Sequence, residues 1–144
     1  MDILDMKVMC EGKLPTYGTE FSAGMDIYCN NEEDIVIKKN EMKKIPTGLK
    51  VEIPEGYFGA IFPRSSTGTK LNIMLANTTG IIDSDYRGEI SLFLVNIGEK
   101  DVIIKKNDRL CQMILIPYVK ANLIKSDNLQ ESKRGEGGFG STGK

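Results

Sequence analysis

The chain has 144 residues, a net charge of −1, three cysteines, and neither histidine nor tryptophan. That length supports a core burying about 70% of the unfolded surface, so no disulfide or metal staple is required. The near-zero charge supplies no global field for nucleic acid, and no apolar run approaches the roughly 20 residues of a membrane span. Without histidine, Ser-His-Asp and Cys-His nucleophile systems and His-ligated metals are excluded.

Cys10, Cys29 and Cys111 are odd in number and irregularly spaced, which fits neither a disulfide scaffold nor a C-x-x-C zinc site. The mixed, acidic start M-D-I-L-D-M-K-V-M-C does not read as a signal peptide. The expected compartment is the cytoplasm, with no nucleic-acid or membrane partner.

In chain order, D-I-V-I-K at 34–38 and L-K-V-E-I at 49–53 alternate with period two and predict strands; Leu49, Val51 and Ile53 fall on one face. A single short helical piece is expected near 65–76, limited by Gly68. I-S-L-F-L-V-N-I at 90–97 is apolar on both faces, which predicts a strand in a sandwich interior. D-V-I-I-K at 101–105 and L-C-Q-M-I-L-I at 110–116 predict two further strands, the second interrupted by Gln112. Turn signals stand at E-G-Y 55–57, N-I-G-E-K 96–100 and K-K-N-D 105–108. Short strands at this spacing predict one all-β domain, a sandwich or barrel, over residues 1–125. Residues 126–144 predict a flexible arm, since five of the ten residues at 134–143 are glycine.

Several segments carry candidate chemistry. In G-I-I-D-S-D-Y-R-G-E at 80–89, an extended backbone would place Asp83 and Asp85 on one face, able to activate a water or hold Mg²⁺ through water; a plain turn is the alternative. P-R-S-S-T-G at 63–68 reads as a loop with one guanidinium and several hydroxyls, either a phosphate clamp or a surface turn. Arg109 and Gln112 stand in an apolar strand, where a ligand and core hydrogen bonding are both open. In the arm, glycine amides, Ser141, Thr142 and Arg134 are phosphate-type donors around the single aromatic Phe139, which suits a lid over a nucleotide. G-F-G-S-T-G-K at 138–144 does not read as a P-loop, a motif that needs a strand before it and a Ser or Thr and then a helix after the Lys.

Together these segments resemble the five signature motifs of the trimeric deoxyuridine triphosphate nucleotidohydrolases, the dUTPases. They read A-G-M-D at 23–26, P-R-S-S at 63–66, G-I-I-D-S-D-Y-R-G at 80–88, R-L-C-Q at 109–112 and R-G-E-G-G-F-G-S-T-G at 134–143. The resemblance implies a distorted β jelly roll that assembles as a homotrimer with shared active sites, the arm closing over a neighbour. It implies hydrolysis of dUTP to dUMP and pyrophosphate by water attack on the α-phosphorus, keeping uracil out of DNA and supplying dUMP for thymidylate synthesis.

The residue roles implied by that resemblance follow motif position. Asp83 would activate the water. Tyr86 would pack on the deoxyribose, while Asn77, Gly80 and the backbone of Ile81 and Ile82 would read uracil. Arg64, Ser65, Ser66 and Gln112 would hold phosphates. Arg134, Gly140, Ser141 and Thr142 would close on the triphosphate with Phe139 stacked on the base. Mg²⁺ would be held mainly by phosphates and waters, with Asp26 reached through water, and Asp85 would pair with a nearby arginine. Ser66-Thr67 departs from the Gly-Leu common in the family, which leaves the contacts of this loop open. If the source is viral, the compartment would be the host cytoplasm or nucleus. Two rivals are a dCTP deaminase-like enzyme of the same fold and a nucleotide-gated regulatory binding protein. Phe93 stands where the deaminases carry a catalytic glutamate, three residues before Asn96, and phenylalanine moves no proton.

Overall fold

The structure is a computed structural model that describes residues 3–138. Eleven strands and one helix follow in order among these residues: β1 (Lys7–Cys10), β2 (Thr16–Tyr17), β3 (Met25–Tyr28), β4 (Ile35–Ile37), β5 (Met42–Glu52), β6 (Tyr57–Pro63), α1 (Ser65–Leu71), β7 (Ile73–Leu75), β8 (Gly80–Ile82), β9 (Ile90–Asn96), β10 (Val102–Ile104) and β11 (Arg109–Pro117). They form a four-stranded sheet β1-β5-β9-β7, a five-stranded sheet β2-β3-β11-β6-β8 and a two-stranded ribbon β10-β4. All pairings are antiparallel. This is the distorted jelly-roll sandwich. No described helix is long and apolar enough to cross a membrane.

The two sheets and the ribbon close on one apolar cluster. Ile45, Leu49 and Val51 of β5 and Ile90, Leu92 and Leu94 of β9 meet Ile27, Ile61, Cys111 and Met113 from the other sheet; Ile37 and Ile104 of the ribbon seal the end. Leu49, Val51 and Ile53 are buried while Lys50 and Glu52 face out, as the alternation predicts. The look-alike segments at 34–38 and 101–105 pair with each other, Val36 opposite Ile103.

Three expectations need correction. Strand β9 is not buried on both faces: Ile90, Leu92, Leu94 and Asn96 point inward, but Phe93 stays 43% exposed on the outer face, and Ile97 just beyond the strand is 53% exposed. Its period is two, with apolar side chains on the outward face as well. The short helix lies within 65–76 as expected, but Gly68 does not set its limit: it runs through Gly68 and stops at Asn72, which takes the left-handed conformation (φ 53°, ψ 37°) that ends a helix and lets β7 start. Gly68 costs helix propensity but does not break the turn. The segment 63–68 is not a loop, because Ser65 opens α1.

Burial raises the thiol pKa values of Cys29 and Cys111 from an ordinary 9.0 to about 12; the charge of Asp108 adds to the shift at Cys29, and Cys29 adds to that at Cys111. The folded state therefore holds protons that the unfolded chain releases above about pH 9. This contribution to stability is complete below that pH and is lost as pH rises toward 12. In the native protein at pH 8, iodoacetamide should modify Cys10 alone, with Cys29 and Cys111 reacting only after unfolding; peptide mass spectrometry checks this.

Candidate active site

The long-range pairing of β3 with β11 brings the two ends of the domain together. Asp26 lies opposite Gln112, and Arg109 opposite Tyr28. On its other side β11 pairs with β6, which places Pro63 opposite Cys111. Residues 24–26, 63–66 and 109–112, far apart in sequence, thus meet at one edge of the sandwich.

The Asp26 carboxylate organises this cluster. Its side chain is 10% exposed and pairs with two guanidinium groups: Arg109 Nη1 donates to one oxygen at 3.1 Å, and Arg64 Nε forms an ion pair with the other at 2.9 Å. Arg64 Nη1 also donates to Arg109 O at 3.1 Å. One charge-assisted bond and one close ion pair to a single carboxylate hold both guanidinium groups beside it. Among the described residues, further donors of both guanidinium groups have no partner, and both side chains stay partly exposed, at 31% and 45%. The result is a preorganised cradle for an anion with several oxygens.

Other groups join the cradle. Arg64, the residue before α1, is extended (φ −73°, ψ 153°), and no side chain caps the helix; the first-turn amides of Ser65 and Ser66 therefore lack intrahelical acceptors. Thr67 Oγ1 donates to Leu110 O at 2.6 Å and locks the turn onto β11. Gln112 Nε2 donates to Pro63 O at 3.4 Å. Gln112 packs where Gly24 has no side chain, and a Cβ at residue 24 would collide with Gln112 Oε1. Arg109 and Gly24 belong to this cluster by geometry. Composition marked Arg109 only as a charge in an apolar strand, and Gly24 carries no chemistry of its own.

A second cluster forms along β8, the edge strand beyond β6, with Gly80 opposite Ile61 and Ile82 opposite Gly59. Ile81, Ile82, Asp83, Tyr86 and Phe93 line a cavity of about 360 Å³. A smaller one of about 90 Å³ adjoins it and adds Asn77 and Gly80. The expected face-sharing of Asp83 and Asp85 on an extended segment is corrected: β8 ends at Ile82, and Tyr86 N donates to Asp83 O at 3.1 Å, closing a turn. Asp85 makes no ion pair among the described residues. Arg87 Nη1 donates instead to Ser84 O at 2.7 Å and Tyr86 O at 3.0 Å, which leaves the Asp85 carboxylate in solvent.

Arg134 Nε donates to Gly137 O at 2.8 Å, within its own turn. Phe139, Gly140, Ser141 and Thr142 lie outside the described residues. The chain leaves the body after Tyr118, whose N donates to Gly56 O at 3.1 Å and whose ring meets Phe58 edge-on.

The dUTPase family model matches residues 10–143. The chain is 47% identical over 132 residues to the deoxyuridine 5'-triphosphate nucleotidohydrolase of Rickettsia bellii (strain OSU 85-389), covering 92% of this chain and 88% of that one. It is 48% identical to the enzyme of the same name from Rickettsia prowazekii (strain Madrid E), covering 92% and 89%. The solved Staphylococcus bacteriophage 80alpha dUTPase with dUPNHPP superposes with a TM-score of 0.84 at 26% identity, over 96% of this chain and 98% of that chain. This chain belongs to the dUTPase family.

Asp26→Ala should leave Arg64 and Arg109 without their shared partner. The expected loss is about 1–3 kcal/mol of stability in urea unfolding. Affinity for inorganic triphosphate, measured by calorimetry, should fall about tenfold, or ~1.4 kcal/mol.

Proposed function

We propose that this chain hydrolyses dUTP to dUMP and pyrophosphate. The observation that carries this reading is the edge strand β8, which runs from the Asn77 end of a pyrimidine-sized cavity to Asp83 and Tyr86. Backbone N–H and C=O groups on the free side of an edge strand have no strand partner. They offer the alternating donors and acceptors that a uracil edge requires, and the Asn77 amide completes the set. Tyr86 stands where the deoxyribose would follow.

Asp83 accepts the proton of the attacking water as the water oxygen bonds to the α-phosphorus and the bridging bond to pyrophosphate breaks. Such a substitution depends on positioning and charge neutralisation, not on a nucleophilic side chain, which agrees with a chain that lacks histidine. Arg64, Arg109, Ser65, Ser66 and Gln112 hold the phosphates. Among the described residues no three carboxylate, cysteine or histidine side chains gather into a metal site, and both Asp26 oxygens already face guanidinium groups. This donor set would suit Mg²⁺ carried by the substrate, which would neutralise phosphate charge, with Asp26 as the chain's contact through water.

The proposal extends to a homotrimer with shared sites. Ile82 lies opposite Gly59, while Arg64 follows the far end of β6; at about 3.3 Å per residue, Asp83 and Arg64 of one chain stand roughly 15–20 Å apart. Laid along β8 from Asn77 to Asp83, a nucleotide points its phosphates away from the Arg64 of its own chain. A neighbour's cradle meets them instead. Met42, Met74 and Phe93 leave an apolar stripe on the outer face of the four-stranded sheet. Val119, Leu123, Ile124 and Leu129, all more than 80% exposed, leave the body as if for another subunit's surface. The arm, with Arg134 and residues 139–142, then closes over the bound nucleotide. The cytoplasm, where dUTP arises, is the proposed compartment. Phe93 also speaks against deamination: it lines the base cavity where a proton-carrying glutamate would be needed.

Pyrophosphate release with dUTP, dCTP, dTTP and UTP side by side tests substrate choice. Turnover is expected for dUTP only, and comparable turnover of dCTP would overturn the reading. Asp83→Asn should lower single-turnover rates about 10²–10⁴-fold, the range of a general base, while nucleotide binding persists. Light scattering should give three times the 16.0 kDa chain mass.

A further inference from the structure

Strand β5 carries a bulge. Its pairing with β9 slips between Pro46 and Leu49, and Gly48 takes φ +66°, a conformation that side chains rarely adopt. A bulge leaves amides without a ladder partner. Here the Thr47 and Gly48 amides both donate to one oxygen, Glu89 Oε1, at 3.1 and 2.9 Å. The Thr47 hydroxyl donates to Ile90 O next door. The bulge is therefore built around residues 89 and 90.

Glu89 immediately follows the turn that carries Asp83 and Tyr86. Tyr86 Oη donates back to Glu89 O at 3.1 Å. Its ring lies across Gly88, where a Cβ would strike the phenol. The turn starts from β8, whose strand partner among the described residues is β6 alone. Between Ile82 and Ile90 all other hydrogen bonds of the described residues stay within the turn. At its other end the turn enters β9, where Ile90 pairs with Leu49. Among the described residues the Glu89 carboxylate is the side-chain tie between the end of the Asp83 turn and the β5 bulge, and it borders the same cavity as Asp83 and Tyr86.

We propose that Glu89 is a positioning residue. Its carboxylate clamps the β5 bulge and so fixes where the Asp83 carboxylate and the Tyr86 ring stand relative to the nucleotide. This inference rests on the dUTP reading above and assigns Glu89 no contact with substrate. Because a single oxygen receives both amides, the clamp depends first on the reach of the side chain, which an amide oxygen at the same distance also supplies.

Two substitutions separate reach from charge. Glu89→Gln keeps an acceptor oxygen at the same distance. Glu89→Asp keeps the charge but is one methylene too short to meet both amides. Both should be assayed as assembled, folded protein well below the melting temperature. The expectation is a kcat within about twofold of wild type for Glu89→Gln and at least tenfold lower for Glu89→Asp. In Glu89→Asp, hydrogen exchange of the Thr47 and Gly48 amides should also accelerate, and in Glu89→Gln it should not. Equal kcat in Glu89→Asp and wild type, or a Glu89→Gln loss as large as that of Glu89→Asp, would overturn the clamp. If the wild type itself does not hydrolyse dUTP, the functional reading fails instead, and the exchange comparison still decides the clamp.

Discussion

Strand β6 lies between β11 and β8 in the five-stranded sheet, and this placement governs the functional surface. Everything at its C-terminal end joins the Asp26 cradle: Arg64 follows it, and β11 delivers Arg109 and Gln112 beside it. Everything along its other edge joins the β8 cavity, where Asp83 emerges. The length of β6 holds the two clusters apart. A single chain therefore carries a charged cluster and an apolar, base-sized cavity at separate places, and the proposed function assigns them to the phosphates and the base of a shared site.

The chemistry of each half follows from its surroundings. In the proposed site, one shielded carboxylate holds two guanidinium groups in place, so little reorganisation would be needed when an anion arrives. The β8 half would use the backbone groups that an edge strand offers against apolar walls. Its weak point is the turn after β8, which is exposed and needs an anchor outside itself. The bulge in β5 supplies one through Glu89.

Much of this was legible in the sequence where side-chain period and backbone agree. Leu49, Val51 and Ile53 alternate and are buried together, and the two D-[IV]-[VI]-I-K segments are strands that pair. Strand β6 was not legible. Its central residues Gly59, Ala60 and Ile61 are all buried, so no period-two contrast marks it. The two faces of β9 read alike because Phe93 and Val95 make its outward face apolar as well. The motifs named Arg64, Gln112 and Asp83, but the role of Asp26 as the bridge between two arginines depends on β3 meeting β11. That contact spans more than 80 residues and leaves no local pattern. Asp85 misled for the opposite reason: a nearby arginine in sequence found closer backbone carbonyls in the turn.

The central claim is that the β8 half of one chain works with the Asp26 cradle of another. Subunit complementation tests it most directly. Asp83→Asn chains and Arg64→Ala chains, each inactive alone, are co-refolded and assayed for pyrophosphate release from dUTP. Mixed assemblies contain sites that pair an intact Asp83 with an intact Arg64 from the other chain, so activity should return. An absence of activity in assemblies shown by native mass spectrometry to contain both chains would mean that each chain completes its own site, and the account would be wrong.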